Sequence, residues 1–429
     1  GIAGLACAYT LGRSGHRVRV LERTDGSQAC GCPPNMTKVL VEWSLEDELK
    51  RCRACRKTTF IRGAAGQEDV LQEAGGQFLL VSVCIKSSTA YRLVLSVGAV
   101  IIFNTPVTGV EETTPTPSVH LADGTALTAD LIIGADGGKS VLREFVLEQK
   151  DAGTDGGHTF YTVMIPRERM TDADLAIWAE APQWSIGLGD NRCAFGEPGN
   201  AYSLLVIWPD TDVPAAGDVP EGWGVSCPPS TVDLSAYDER IRRVFNMVST
   251  IQRAKYVPRN HVEDWVDRSG RVLFVGDAAH STIVRTNTAH PTSTPAHSII
   301  HICICRPHSM AIEDAEALGV LMARLARAEK IPQLTEGVWE LRQARCAFVH
   351  AGGLSNMVFS MLRCYTILSL RATSRAVLER YRGSCGTVQY RNTAARPPNL
   401  TVQGQFRWNV GTKLKVCHEY RPDFGAAKM

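Results

Sequence analysis

The first 23 residues, GIAGLACAYTLGRSGHRVRVLER, constrain the fold more than any other stretch. Ile2, Leu5, Ala6 and Tyr9 recur at the spacing of one helical face. Gly12 and Gly15 are expected to break that helix. Arg17–Leu21 then alternates as a strand, and Glu22 stands at its end. Gly1 and Gly4 stand at the spacing of the last two glycines of a G-x-G-x-x-G loop, in which one glycine lets the backbone approach a pyrophosphate and the next allows close packing of helix on strand. The helix start also offers free N–H groups, a setting that suits an anion. The segment favours a nucleotide site, with a helix of small residues followed by an unrelated surface glutamate as the alternative.

With 429 residues the chain has room for two or three domains. Apolar residues make up 44% and charged residues 21%, which fits a globular protein. A net charge of +2, with both signs mixed along the chain, argues against nucleic acid or an anionic membrane as the main partner. No apolar run is long enough to span a bilayer; Ser355–Leu370 is interrupted by Arg363. Among 14 cysteines, Cys52 and Cys55 form the sole C-x-x-C. That motif sits in the basic run KRCRACRK without a second pair or a nearby histidine, so it reads as free thiols and no metal site is expected. Cys30 with Cys32, and Cys303 with Cys305, are unpaired by pattern as well.

Two further segments repeat the logic of the first. In DLIIGADGGKSVLR (residues 130–143), an apolar strand ends in a glycine-flanked turn that leaves Asp136 and Gly137 at its carboxyl end. Open α/β sheets bind their ligands at that end. In RVLFVGDAAH (residues 271–280), a second apolar strand delivers Gly276 and Asp277, followed by two alanines small enough for a planar ligand to pack on. A long amphipathic helix is expected from Ala311 through Leu325. Taken singly, Asp136 and Asp277 read as turn or N-cap aspartates.

The order of these segments (glycine helix with Glu22, then GADG, then GDAAH and AIEDAEAL) resembles the FAD-dependent aromatic-hydroxylase-type monooxygenases, which are similar to salicylate and para-hydroxybenzoate hydroxylases. Pro34-Asn35-Met36, followed by Val39, Leu40 and Trp43 at helical spacing, looks like the same family, and the resemblance extends over about residues 1–350. It implies an α/β fold. A Rossmann-like FAD-binding domain would take residues 1–150 and 261–350, and an antiparallel β-sheet substrate domain residues 151–260. A helical C-terminal region with a loose tail would take 351–429. It also implies FAD as cofactor, NAD(P)H as co-substrate, and O₂ plus a small aromatic or secondary-metabolite-like molecule as substrates. One oxygen atom would go to that molecule. The resemblance allows a homodimer and a cytoplasmic setting.

Residue by residue, the resemblance places Gly1 and Gly4 at the FAD pyrophosphate and Glu22 at the adenosine ribose. Asp136 and Gly137 would serve both FAD and the reduced nicotinamide. Gly276 and Asp277 would hold the ribityl chain and flavin edge. Arg92, in a helix shorter than the family's, is the nearest match to an arginine that contacts FAD. Arg342 and Arg345 fall where the family has an arginine pair at a dimer or domain contact, and read otherwise as a solvated helix face. The catalytic proton acceptor is not legible.

Short apolar strands run between His158 and Tyr202–Trp208, with a loop over Asp210–Pro229 and a helical pattern over Tyr237–Val257. Trp178, Trp184, Tyr202 and Trp208 are read as core residues ahead of pocket-lining ones.

Three departures from the family pattern stand out. The strand and first glycine that would precede Gly1 are not in the sequence. The run Ser281–Ser309 is about twice the family's length and lacks the flavin-loop glycines, as translated intron sequence would; its histidines are too irregular for a metal site. Gln67–Leu95 is compressed. Together they predict weak FAD binding by the chain as it stands, with a non-catalytic remnant or a flavin-dependent reductase as the alternatives.

Overall fold

The computed structural model describes residues 1–24, 29–30, 34–51, 57–62, 67–73, 85–112, 116–150, 153, 156–180, 183–189, 192–197, 201–210, 225–235, 237–255, 257, 259, 262, 264–281 and 306–361. Residues 1–364 form one compact unit. The Cys52/Cys55 motif, the histidines at 290, 297 and 301, and everything after 361 lie outside the described residues.

The chain begins with helix α1 (Ile2–Arg13) and strand β1 (Arg19–Leu21). The helix runs through Gly12, contrary to the expectation that this glycine ends it. A Cβ at Gly12 would lie 2.5 Å from a Val97 methyl, so the glycine serves a close crossing. Gly15, at φ +89°, makes the break. A short strand β2 (Ala29–Cys30) and helices α2 (Pro34–Glu42) and α3 (Glu46–Arg51) follow. Met36, Leu40, Trp43 and Leu49 are buried at the expected helical spacing.

Strands β3 (Lys57–Arg62) and β4 (Gln67–Glu73) leave this layer for the middle of the chain, and β5 (Ile85–Lys86) pairs with β2. Helix α4 (Ser87–Ser96) leads to β6 (Val100–Ile102), which pairs in parallel with β1. An antiparallel meander follows, made of β7 (Val107–Glu111), β8 (Ser118–Leu121) and β9 (Ala126–Thr128). Strand β10 (Ile132–Gly134) then enters helix α5 (Val141–Leu147).

The middle of the chain is an antiparallel layer. It contains β11 (His158–Pro166), helix α6 (Ala173–Glu180), β12 (Gln183–Gly189), β13 (Arg192–Glu197), β14 (Ala201–Pro209), β15 (Val225–Cys227), helix α7 (Glu239–Asn246) and β16 (Ile251–Lys255). The sheet has eight strands in the order β15-β16-β11-β14-β13-β12-β3-β4. β3 joins β12 in parallel, so residues 57–62 and 67–73 belong to this sheet although the sequence assigns them to the first domain. Pairing partners over 100 residues apart leave no local trace in a six-residue strand. The helix expected over Tyr237–Val257 is only α7. Asp238 caps its start, and the chain turns at Met247 to give β16, which pairs on both edges.

The chain returns with β17 (Val272–Phe274), paired in parallel with β10, and with the single turn α8 (Asp277–His280). Helix α9 (Arg306–Met322) starts five residues before the expected Ala311, and α10 (Ile331–Met361) closes the described chain. Helices α1 and α9 dock tightly. Thr10 donates to the Ala315 carbonyl at 2.8 Å, and a Cβ at Gly319 would lie 2.5 Å from that of Thr10.

Two main cores result. One joins α1, α2, β17, α8, α9 and α10. The other lies between the large sheet and α6–α7, and it holds Tyr161, Trp178, Tyr202, Trp208, Tyr237 and Phe245.

Candidate active site

Three turn ends converge. The start of α1 lies beside the turn after β10, with Gly4 placing its backbone where a Cβ would sit 3.5 Å from that of Ala135. It also lies beside the turn after β17, where a Cβ at Gly276 would sit 2.8 Å from that of Ala3 and 3.3 Å from that of Ala311. No acidic side chain occupies the first turn of α1 and no side chain caps it, so its leading N–H groups remain available to an anion. Glu22, at the end of the adjacent strand, accepts from the Gly1 nitrogen at 2.9 Å and from the Thr24 amide and hydroxyl at 3.0 and 2.9 Å. A carboxylate and the start of α1 thus lie side by side across 21 residues of sequence.

Asp136 is exposed and accepts from the Val141 N–H at 2.8 Å, tying its turn to the start of α5, while Ser140 caps the same helix through the Arg143 N–H. Gly137 holds φ +82° with open space where a side chain would go. Asp277 is half-buried on the turn opened by Gly276. Arg92, on the exposed side of α4, meets Glu48 through its guanidinium at 2.6 Å.

Below the Gly276 turn lies a buried polar cluster that the sequence does not announce. Arg143, 1% exposed, donates to the Ala278 carbonyl at 2.9 Å and so links α5 to α8. Asp314 Oδ2 accepts from the Gly276 N–H at 3.1 Å and from His280 Nε2 at 2.6 Å. Its Oδ1 accepts from Arg342 Nε at 2.8 Å. Arg342 and Arg345 both reach Glu313. The two arginines therefore fasten α10 to α9; neither a solvated face nor a dimer contact describes Arg342. The signal that could have found the cluster is the AIEDAEAL helix itself, where an acidic residue occupies an apolar face.

Burial opposes charge on Asp314, but His280 and Arg342 hold its carboxyl well below the usual range. Burial likewise opposes a charged His280, yet Cys346 and Asp314 raise it well above the ordinary imidazole value. Ligand atoms of His280, Asp314 and Cys346 lie within 4.8 Å of one another. Arg342 already sits on Asp314 and approaches Cys346 Sγ at 3.7 Å, so the place of a metal cation is held by a guanidinium.

The aromatic residues of the middle region are placed in the core. Trp178, Tyr202 and Trp208 are at most 2% exposed, and Trp178 stacks on Tyr202 at 6.2 Å between sheet and helices. The side chain of Trp184 lies outside the described residues. An apolar cleft of about 320 Å³, including its open mouth, lies between α1, α2, α4 and α9. Ile2, Leu40, Trp43, Ala90 and Leu93 line it, and it carries no chemistry.

Comparison with known proteins agrees with this arrangement. Residues 1–185 match the family described as FAD binding domain. The chain is 27% identical over 391 residues to 3-hydroxybenzoate 6-hydroxylase of Klebsiella oxytoca, covering 84% of this chain and 90% of that one. It is 25% identical over 389 residues to hispidin-3-hydroxylase of Neonothopanus nambi, covering 82% and 85%. Among solved structures, Klebsiella pneumoniae HpxO complexed with FAD and uric acid superposes with a TM-score of 0.65 at 20% identity, over 88% of this chain and 91% of that one. A salicylate hydroxylase substrate complex gives a TM-score of 0.64 at 19% identity, over 89% and 92%. The convergent turn ends, the FAD-domain match and these relatives point the same way: residues 1–185 match an FAD binding domain, and the chain as a whole is similar to flavin-dependent hydroxylases.

Proposed function

We propose that this chain uses FAD, NAD(P)H and O₂ to hydroxylate or oxygenate an aromatic or secondary-metabolite-like small molecule. The observation that carries the reading is the meeting of two strand-end turns and of Glu22, at the end of β1, around the start of α1. That arrangement suits a long ligand with an anionic centre, a ribose at one side and a flat ring at the other. Gly1 and Gly4 would admit the pyrophosphate, and Glu22 would accept ribose hydroxyls. Asp136 and Gly137 would flank the cofactor and the incoming nicotinamide, and Gly276 and Asp277 the ribityl chain and ring edge. Arg92 would have to leave Glu48 to take part.

When bound, FAD supplies acceptance of a hydride from reduced nicotinamide and activation of O₂. The chain's own share is binding, orientation and exclusion of water. Ala278 and Ala279 are fully buried under the Gly276 turn, and Arg143 fixes their backbone from the far side. Along β11, Tyr161, Val163 and Ile165 face the helix-side core, so Phe160, Thr162 and Met164 face the other way. Met164 is 54% exposed there, which supports that face as the wall of the substrate pocket.

Domain limits near 150, 260 and 350 accompany this reading, with β3 and β4 contributed to the middle layer. A homodimer in the cytoplasm completes it. Cys7, Cys227 and Cys346 are free thiols, which supports a reducing compartment. No helix among the described residues is long and apolar enough to cross a membrane.

The test is turnover by the purified protein with added FAD. NADPH or NADH oxidation, stimulated by phenols or aromatic acids, is expected together with O₂ uptake and a product one oxygen heavier. Oxidation without oxygen insertion into any product would replace the reading with a reductase.

A further inference from the structure

Gly276 carries an unusual demand. Its φ of 62° and ψ of −141° fall where essentially only glycine is found. Glycine reaches this conformation without strain, and any side chain placed there would be strained. Three backbone bonds close on the turn: Val275 N–H to the Gly134 carbonyl at 2.9 Å, and Ala279 and His280 N–H to the Gly276 carbonyl at 2.9 and 2.8 Å. The Gly276 N–H itself has a side-chain acceptor, Asp314 Oδ2, reached across 38 residues. That oxygen also takes the His280 side chain from the far end of α8, so one carboxylate grips both ends of the turn. Its other oxygen is held by Arg342 from α10, and Arg342 is held in turn by Glu313. Asp314 and its His280 partner have no exposed side-chain surface.

We infer that Asp314, oriented by Arg342, is a positioning residue that sets the Gly276-Asp277 turn in its cofactor-facing conformation, so that helix α10 governs the flavin side of the site without touching it. The inference rests on the FAD reading only for its consequence; the grip on the turn stands on bonds within the chain. A purely structural pair would stabilise the core and leave the turn's own behaviour unchanged.

The experiment compares the unmodified chain with Asp314→Asn, Arg342→Lys and the doubly neutral Asp314→Asn/Arg342→Met, by amide hydrogen exchange without cofactor and by FAD titration. Asp314→Asn exchanges a charged acceptor for a neutral one, which weakens such a bond by about tenfold to a hundredfold. Amides of residues 276–281 are expected to exchange at least about tenfold faster, while those of His158–Pro166 stay unchanged. FAD affinity should fall by a similar factor, and the visible band of bound flavin should shift. The double variant leaves no unpaired buried charge. It should recover thermal stability yet keep the fast-exchanging turn and the weak FAD affinity, whereas Arg342→Lys, which keeps a cation beside Asp314, should show only part of either change.

Exchange at 276–281 that only follows global stability, or an unchanged FAD affinity, would overturn the inference. If the unmodified chain binds no FAD, the cofactor reading fails, and the cofactor-free exchange data still decide the role of Asp314.

Discussion

The two largest cores among the described residues are built by opposite rules. Around α1, α8 and α9 the packing uses alanine and glycine, with backbones in near contact, and it buries Asp314 and Arg342. Between the large sheet and α6–α7 it uses bulk. Trp178, Trp208, Tyr161, Tyr202 and Phe245 fill the space there, and the Asp238–Arg240 pair beside them caps the start of α7 rather than tying separate elements together. Where a ligand must lie against the backbone, side-chain volume is in the way, and fixed polar ties take over the job of holding the elements. Where nothing has to be held open, apolar area does the work.

The contrast predicts different responses to damage. The largest effect should come from Arg342→Met, which leaves the Asp314 carboxylate buried without its guanidinium; a loss of about 3–5 kcal/mol in urea unfolding is expected. Phe245→Ala in the second core should cost about as much, ~3–5 kcal/mol, through a cavity. FAD affinity of the remaining folded protein should be unaffected, and a weakened FAD affinity would break the comparison. Gly276→Ala combines a positive φ with a 2.8 Å clash against Ala3. It should cost about 1–3 kcal/mol and abolish FAD binding, as read by fluorescence quenching of the added flavin.

Titration should separate the cores by pH. Asp314 is held below its ordinary value, so the stability it contributes is present above the unfolded carboxyl's pKa of about 4. That stability is lost as pH falls toward the folded value; Asp314→Asn should flatten the acid limb of the stability curve. Tyr161 behaves in the opposite sense. Burial pushes its phenol up to about 12, so its contribution is complete below the unfolded value of about 10 and is lost between pH 10 and 12. The smallest effect belongs to Tyr161→Phe. The hydroxyl is buried without a hydrogen-bond partner among the described residues, so its removal should be neutral or stabilising by up to ~1 kcal/mol and should remove the alkaline loss.

Much of the cofactor layer is legible from residue order. Strand-end glycines and aspartates carry their own signal, because a tight turn at a strand's carboxyl end needs those residue types wherever the rest of the chain goes. Ser140 and Arg143 form a local cap, and Met36, Leu40 and Trp43 keep their helical spacing in the core. The middle layer is legible in type but not in extent. Nothing local in Lys57–Arg62 says that it pairs with Gln183–Leu188.

The sequence by itself determined the two strand-end turns, the glycine-rich start of α1, and the helix that bears Asp314, since each follows from periodicity and turn chemistry within about 15 residues. Only the tertiary structure decided what those parts do to one another. It turned Arg342 from a surface-looking arginine into a buried partner of Asp314, moved β3 and β4 into the large sheet, and sent the aromatic residues to the helix-side core. The reason is range. Local conformational preference is written in neighbouring residues, whereas a buried ion pair or a strand pairing is fixed by burial that only the closed chain provides.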